Sequence, residues 1–202
     1  MVESKLNLPE KFSFYYRISD NSLLGNMGNL QYESTVKKIA DFDTVEDFWK
    51  IFQHMKKPEN LQSGIEFHLF KNDIKALWED ESNEKGGRVS IKLKKDSSSL
   101  VWQEIILNFI GDNFNDKVKE EINGIVISIR KEFNFLQVWF KTYEKNNINE
   151  INKNLREILQ IPNEVELDVK PFSKQNENER GYHKKNYNNY NSNYNKIGRY
   201  YK

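Results

Sequence analysis

The sequence predicts an α+β fold in which a mostly antiparallel sheet carries helices on one of its faces. Three observations lead there. Seven segments are rich in aromatic and β-branched residues, three others have the apolar spacing of amphipathic helices, and the two kinds do not alternate as regular βαβ units would. A sheet covered on one face leaves the other free to bind.

The first expected strand is Phe12-Ser-Phe-Tyr-Tyr-Arg-Ile18, followed by Val36 to Phe42. A helix comes next, because Val45, Phe48, Trp49 and Phe52 recur at i, i+3, i+4, i+7 behind Thr44, a good N-cap, with Asp47 as a weak capping-box partner. Those four apolar side chains cannot all reach one core, so an apolar edge left at the surface would imply a partner. Strands at Ile65 to Phe70 and Val89 to Leu93 follow. The second helix, about Leu100 to Ile110, sits behind the cap cluster Ser97-Ser98-Ser99 and stops at Gly111, read as a left-handed terminal residue. After strands at Ile122 to Ile129 and Leu136 to Phe140, the third helix places Ile148, Ile151, Leu155, Ile158 and Leu159 on one stripe and ends before Pro162. Val165 to Val169 closes the set as a strand. Long loops at residues 20–33 and 73–87 would overhang the open face, where binding residues concentrate. There is no internal repeat.

Charge divides the chain. The whole carries +1, but residues 1–172 hold 24 basic and 28 acidic side chains, whereas residues 173–202 hold 7 and 2, with no acid after Glu179. The segment Asn186-Tyr-Asn-Asn-Tyr-Asn-Ser-Asn-Tyr194 has too little aliphatic surface to offset the entropy of ordering, so residues 173–202 read as a disordered basic tail behind a domain at 1–172. Such a tail either assists RNA binding through phosphate contacts and stacking or is a biased extension without function. No apolar run approaches the roughly 18 residues that span a bilayer. The N-terminus Met-Val-Glu-Ser-Lys lacks a signal peptide's apolar stretch, and there is no cysteine for disulfides or thiolate metal sites. A soluble, cytoplasmic monomer without cofactor is expected.

Trp78-Glu79, followed by Asp80-Glu81, carries the most chemical information. An indole face attracts a cationic ring, and a carboxylate accepts from the N1 and exocyclic amine of guanine. Alone, Trp78 reads more readily as a packed residue; Tyr32, Trp139, Arg88 and Arg130 give the pair its weight. Trp139 fits a core role and a ligand contact equally well. Glu79 to Glu81 also read as solvated charge or a divalent-cation patch, although His54, His68 and His183 have no metal-ligand spacing. Gly86-Gly87 is most simply a turn, since no strand–glycine-loop–helix arrangement accompanies it.

Phe42-Asp-Thr-Val-Glu-Asp-Phe-Trp49, Leu69-Phe-Lys, Leu77-Trp-Glu-Asp-Glu81, Gly86-Gly-Arg88 and Gly124-Ile-Val with Ile129-Arg130 resemble, in identity, order and spacing, the eukaryotic translation initiation factor 4E family over about Leu8 to Pro171. The resemblance implies a curved sheet of about eight strands, three helices on its convex back and an mRNA cap site in its concave front. It implies that Trp78 stacks on 7-methylguanine with Tyr32 opposite, that Glu79 reads the guanine edge, and that Trp139 touches the N7 methyl. Arg88 and Arg130, with Lys131 nearby, would face the cap phosphates. On the back, Val45, Trp49, Glu104 and Leu107 would receive a scaffold or repressor protein bearing a Tyr-x-x-x-x-Leu-apolar helix. The implied function is non-enzymatic cap binding coupled to translation initiation or its regulation.

Several positions depart from the family pattern. Tyr32 stands where most members have Trp, which resembles the 4E-homologous-protein branch, whose members bind cap more weakly and often repress. Phe135 replaces a phosphate-contacting Lys, Gln103 a Leu of the back patch, Val89 a common Trp, and Leu6-Asn7 the usual His-Pro. A translational repressor or a scaffold with weak or lost cap binding is therefore the alternative reading. A Mg²⁺-dependent cap hydrolase built on Glu79-Asp80-Glu81 is a third, weakened by the lack of a second carboxylate cluster.

Overall fold

The computed structural model describes residues 5–18, 34–71 and 74–173. Its centre is a curved antiparallel sheet of seven strands among the described residues, β1 (Asn7–Ile18), β2 (Val36–Thr44), β3 (Ile65–Lys71), β4 (Gly87–Leu93), β5 (Ile122–Ile129), β6 (Asn134–Phe140) and β7 (Asp168–Pro171). They lie side by side in the order β2-β1-β3-β5-β6-β4-β7. Among the described residues the helices α1 (Val45–Phe52), α2 (Ser98–Ile110), α3 (Asp116–Glu121) and α4 (Lys145–Ile158) accompany them, with a short 3-10 turn at Pro58–Asn60.

Side chains alternate across each strand, so a single residue choice decides which layer it joins. Phe12 and Phe14, Phe67 and Leu69, Val89 and Ile91, Ile125 and Ile127, and Leu136 and Val138 point to the helical side. There they form one core with Phe48 of α1, Val101, Trp102, Ile105 and Ile106 of α2, Val118 of α3, and Ile151 and Leu155 of α4. The residues between them face the opposite, concave side.

Local chemistry sets the element ends. Thr44 caps α1 by accepting from the Asp47 N–H at 3.2 Å, and its hydroxyl donates to the Asp47 carboxylate at 2.8 Å, so the reciprocal contact of a capping box goes to the hydroxyl instead of the Thr44 N–H. In α1, Phe48 is wholly buried, Val45 and Phe52 are half-buried, and Trp49 remains 43% exposed, which is the surface edge the sequence implied.

Four expectations are corrected. Ser97 precedes α2 without capping it; its hydroxyl donates to the Lys94 carbonyl instead. Gly111 ends α2 at φ −84°, and the left-handed residue is its neighbour Asp112 at φ 58°. The last strand begins at Asp168, because Val165 and Leu167 are spent on the helix-side core from a loop. Helix α3 was not expected, since Asp-Lys-Val-Lys-Glu-Glu has one apolar residue, Val118; Asn115 caps it by accepting the Val118 N–H at 3.0 Å.

Candidate nucleic-acid interface

Strand register draws three rows across the concave face. The first runs Ser13, Phe70, Gly124, Trp139, Arg88, Lys170 from β1 to β7. The second runs Tyr15, His68, Val126, Gln137, Ser90, Asp168, and the third Arg17, Glu66, Ser128, Phe135, Lys92. Their chemistry changes from aromatic to ionic across about 13 Å, the length of four residues of strand.

The aromatic end is a second apolar cluster, separate from the helix-side core. Tyr15, Phe70, Ala76, Val126, Trp139 and Phe172 form it, and Val36, Ile74 and Trp78 pack on it. Trp139 is only 4% exposed: it meets Phe70 edge-on at 5.4 Å and Phe172 at 4.4 Å, and its indole N–H donates to Gln137 Oε1 at 3.2 Å. Gly124 makes room for this packing, because a Cβ there would stand 2.5 Å from the Phe70 ring. Of the two sequence readings of Trp139 the structure gives the core role: it builds the wall of the concave face.

Trp78 sits on that wall, half-buried, at the tip of the segment between β3 and β4, with Glu79 exposed beside it. The segment is pinned. Asp80 accepts the backbone N–H groups of Ser82 at 2.9 Å and Lys75 at 3.2 Å. The wholly buried Asn83 donates to the Leu77 carbonyl at 2.8 Å and the Lys75 carbonyl at 3.1 Å, and Asn123 of β5 donates to Asn83 Oδ1 at 3.0 Å and the Ser82 carbonyl at 2.6 Å. Asp80 is therefore a loop clasp. Sequence reading missed Asn83 and Asn123; no short-range pattern joins positions 40 apart.

At the ionic end, Glu66 is buried among cations. It accepts from Arg17 Nη1 at 2.8 Å, Arg130 Nη2 at 2.6 Å and Ser128 Oγ at 3.0 Å, while His68 Nε2 lies 3.5 Å away, beyond a good hydrogen bond. Burial alone would push the carboxyl up, but His68, Arg17 and Arg130 outweigh it and hold Glu66 well below the usual carboxylate range. Among the described residues, two guanidinium groups meet one carboxylate there. Arg130 also donates to the Ile129 carbonyl at 3.2 Å and keeps a side chain 41% exposed, so its fork is fixed yet reachable.

The other expected residues fall as follows. Arg88 is half-buried on β4 beside Trp139, and Lys131 is exposed in the connection between β5 and β6. Tyr32 lies outside the described residues, as do the tail positions from 174 on; β2 begins at Val36, whose side chain rests on the aromatic cluster. On the helical side, Val45 and Leu107 are half-buried and Glu104 is exposed, its carboxylate accepting from Asn108 Nδ2 at 3.0 Å. A cleft of about 220 Å³ runs between α1 and α2, lined by Trp49, Phe52, Met55, Leu100 and Gln103 among others. Leu100, 53% exposed, and Phe52 belong to this surface although the sequence did not single them out for it.

Residues 7–197 match the family described as Eukaryotic initiation factor 4E. The chain belongs to the eukaryotic initiation factor 4E family. Among relatives of this family, the translation initiation factor NCBP of Oryza sativa subsp. japonica is 33% identical over 141 residues, 69% of this chain and 61% of the relative. The initiation factor 4E-4 of Caenorhabditis elegans is 31% identical over 169 residues, 83% of this chain and 76% of the relative. The chain thus spans about three fifths of the length of its plant relatives. The crystal structure of schistosome eIF4E complexed with m7GpppG and 4E-BP superposes with a TM-score of 0.75 at 28% identity, covering 87% of this chain and 93% of that one. The fold is that of the initiation factor 4E proteins, and no helix among the described residues is long and apolar enough to cross a membrane.

Proposed function

We propose that this protein binds the 7-methylguanosine 5′ cap of mRNA on the concave face and couples it, in the cytoplasm, to translation initiation, acting as a binder and not as an enzyme. One observation carries the reading: a pinned segment holds the Trp78 indole half-exposed above an aromatic wall, with the exposed carboxylate of Glu79 next to it. Methylation at N7 makes guanine cationic, so stacking on Trp78, with Tyr32 as the opposing ring, adds cation–π attraction of about 0.5–2 kcal/mol to base stacking of about 1–3 kcal/mol. Glu79 supplies charge-assisted acceptors for the two donors on the guanine edge, a pair that adenine lacks. Trp139 lies behind as the wall that the methyl group meets. Arg130, Arg88 and Lys131 take the phosphates, the Arg130 fork being fixed by Glu66 and still 41% exposed.

Against a hydrolase stands the use of Asp80 as a backbone clasp, which ties down one of the three carboxylates of the run Glu79 to Glu81. On the helical face, Val45, Trp49, Glu104 and Leu107 are assigned to a partner helix of the Tyr-x-x-x-x-Leu-apolar kind, in keeping with the 4E-BP present in the schistosome complex. The Asn/Tyr-rich tail adds salt-sensitive RNA contacts.

Two measurements test this. Titration with 7-methyl-GTP should quench tryptophan emission far more than GTP does, and Trp78→Ala should remove most of that quenching; an unchanged response in the variant would eliminate the stacking role. Deleting residues 176–202 should leave 7-methyl-GTP affinity within about threefold while weakening salt-sensitive binding of longer RNA. Equal RNA binding by both proteins would make the tail a bystander.

A further inference from the structure

Where the concave face ends, two phenyl rings have no place in either core. Phe135 points from β6 into the ionic row, and Phe133 lies in the connection just before it; both are half-buried, and neither is among the side chains that pack on the two apolar clusters. Rings left half in water outside both cores invite another explanation. Lys92, directly opposite Phe135 across the β4–β6 ladder, sets its ammonium 3.8 Å from the centre of the Phe133 ring. Arg130 and Lys131 begin the same connection, and Lys94 and Lys95 leave the adjoining end of β4, tied to it by the bond from Asn134 Nδ2 to Ser98 Oγ at 2.9 Å. Among the described residues of these two connections the acids are Glu132 and Asp96, both exposed, and Glu66 is held by Arg17 and Arg130. The result is aromatic faces interleaved with positive charge, the combination that holds single-stranded nucleic acid.

Position along the strand orders the ligand. Trp139, Gln137 and Phe135 share the concave side of β6, so a ligand that begins at the aromatic wall and runs along this strand reaches Phe135 about 13 Å later. A phosphate bridge leaving that wall would run toward the Arg130 fork, which meets Glu66 in the row of Phe135, and Lys92 adds a cation from the next strand. Building on the cap-binding reading, we propose that Phe135 and Phe133 form a stacking platform for the base of the first nucleotide after the phosphate bridge, with Lys92 neutralising the phosphate that joins it. This chain would then read a capped RNA end as a dinucleotide.

The test compares 7-methyl-GTP with the dinucleotide 7-methyl-GpppG on the full chain. The dinucleotide should bind at least about fivefold more tightly, the low end for one base–aromatic stack. A double variant, Phe133→Leu with Phe135→Leu, keeps apolar bulk but loses the ring faces; it should hold 7-methyl-GTP within about twofold and lose the dinucleotide gain. Phe135→Lys should do the reverse of the native residue, strengthening 7-methyl-GTP binding while reducing the gain. Equal affinity of the native chain for both ligands, or a gain that survives the double leucine variant, overturns the platform and leaves the cap site standing. Failure to bind either ligand overturns both.

Discussion

One sheet presents two faces built on different physics, and β3 displays the contrast within seven residues. Phe67 and Leu69 point to the helices and join a dry core, whereas Glu66, His68 and Phe70 point the other way into ion pairs and an aromatic wall. The helical face gains from removing apolar area from water, which tolerates no vacancy. The concave face holds buried charge, which is weak evidence of stability and stronger evidence of positioning. A substitution should therefore reveal its face by what it damages.

The largest effect is expected from Leu69→Ala. Leu69 is wholly buried between sheet and helices, so truncation should cost about 2–5 kcal/mol of unfolding free energy, read as a lower urea midpoint. The protein that remains folded should bind 7-methyl-GTP normally. A variant that keeps its stability but loses the ligand would mean that the two faces do not divide the labour in this way.

Glu66→Gln comes next and separates the faces in the opposite sense. Gln keeps the volume but gives up charge-assisted bonds to Arg17 and Arg130, worth about 1.5–3 kcal/mol. It also removes the negative charge that offsets Arg17 and Arg130, so the affinity advantage of 7-methyl-GTP over the 7-methylguanosine nucleoside should grow. The pH dependence carries a definite sign. A carboxyl whose folded pKa is depressed stabilises fully above its unfolded value, about 4.3, and loses that contribution as pH falls through the folded value. The stability gap between native chain and variant should thus be widest above about pH 5 and narrow as acid is added below about pH 4. A gap that does not change with pH would show that the ionised carboxylate is not what holds the two arginines.

The same contrast explains what could be read in the sequence. Helix-side features depend on short-range periodicity: Ile122 to Ile129 stands at its expected bounds, and α1 follows from Thr44 and four apolar positions. Where a segment's apolar residues serve the core from a loop, as Val165 and Leu167 do, periodicity misassigns it as strand. The concave site was legible only in part. Trp78, Glu79, Trp139, Arg88 and Arg130 stood out through motif order, but the bonds that fix two of them did not. Arg17, Ser128 and Arg130 reach Glu66 across 49, 62 and 64 residues, and Asn123 reaches Asn83 across 40. Only strand pairing brings such groups together.

The smallest effect on stability is expected from Trp49→Ala, which tests the one part of the helical face that behaves like the concave one. Trp49 packs edge-on against Phe48 at 5.0 Å and Phe52 at 5.9 Å yet stays 43% exposed, so its loss should change unfolding free energy by only about 1 kcal/mol. Binding should suffer far more. An exposed indole beside a cleft has the character of an interface anchor, where truncation costs about 2 kcal/mol or more. Fluorescence polarisation with a labelled Tyr-x-x-x-x-Leu-apolar peptide should therefore register a loss of about thirtyfold or more, at 1.4 kcal/mol per factor of ten. Affinity for 7-methyl-GTP should remain within about twofold, since Trp49 and Trp78 belong to opposite faces. Should the peptide bind Trp49→Ala as well as the native chain, the exposed edge of α1 is ordinary surface, and the cleft beside Leu100 must be explained without that partner.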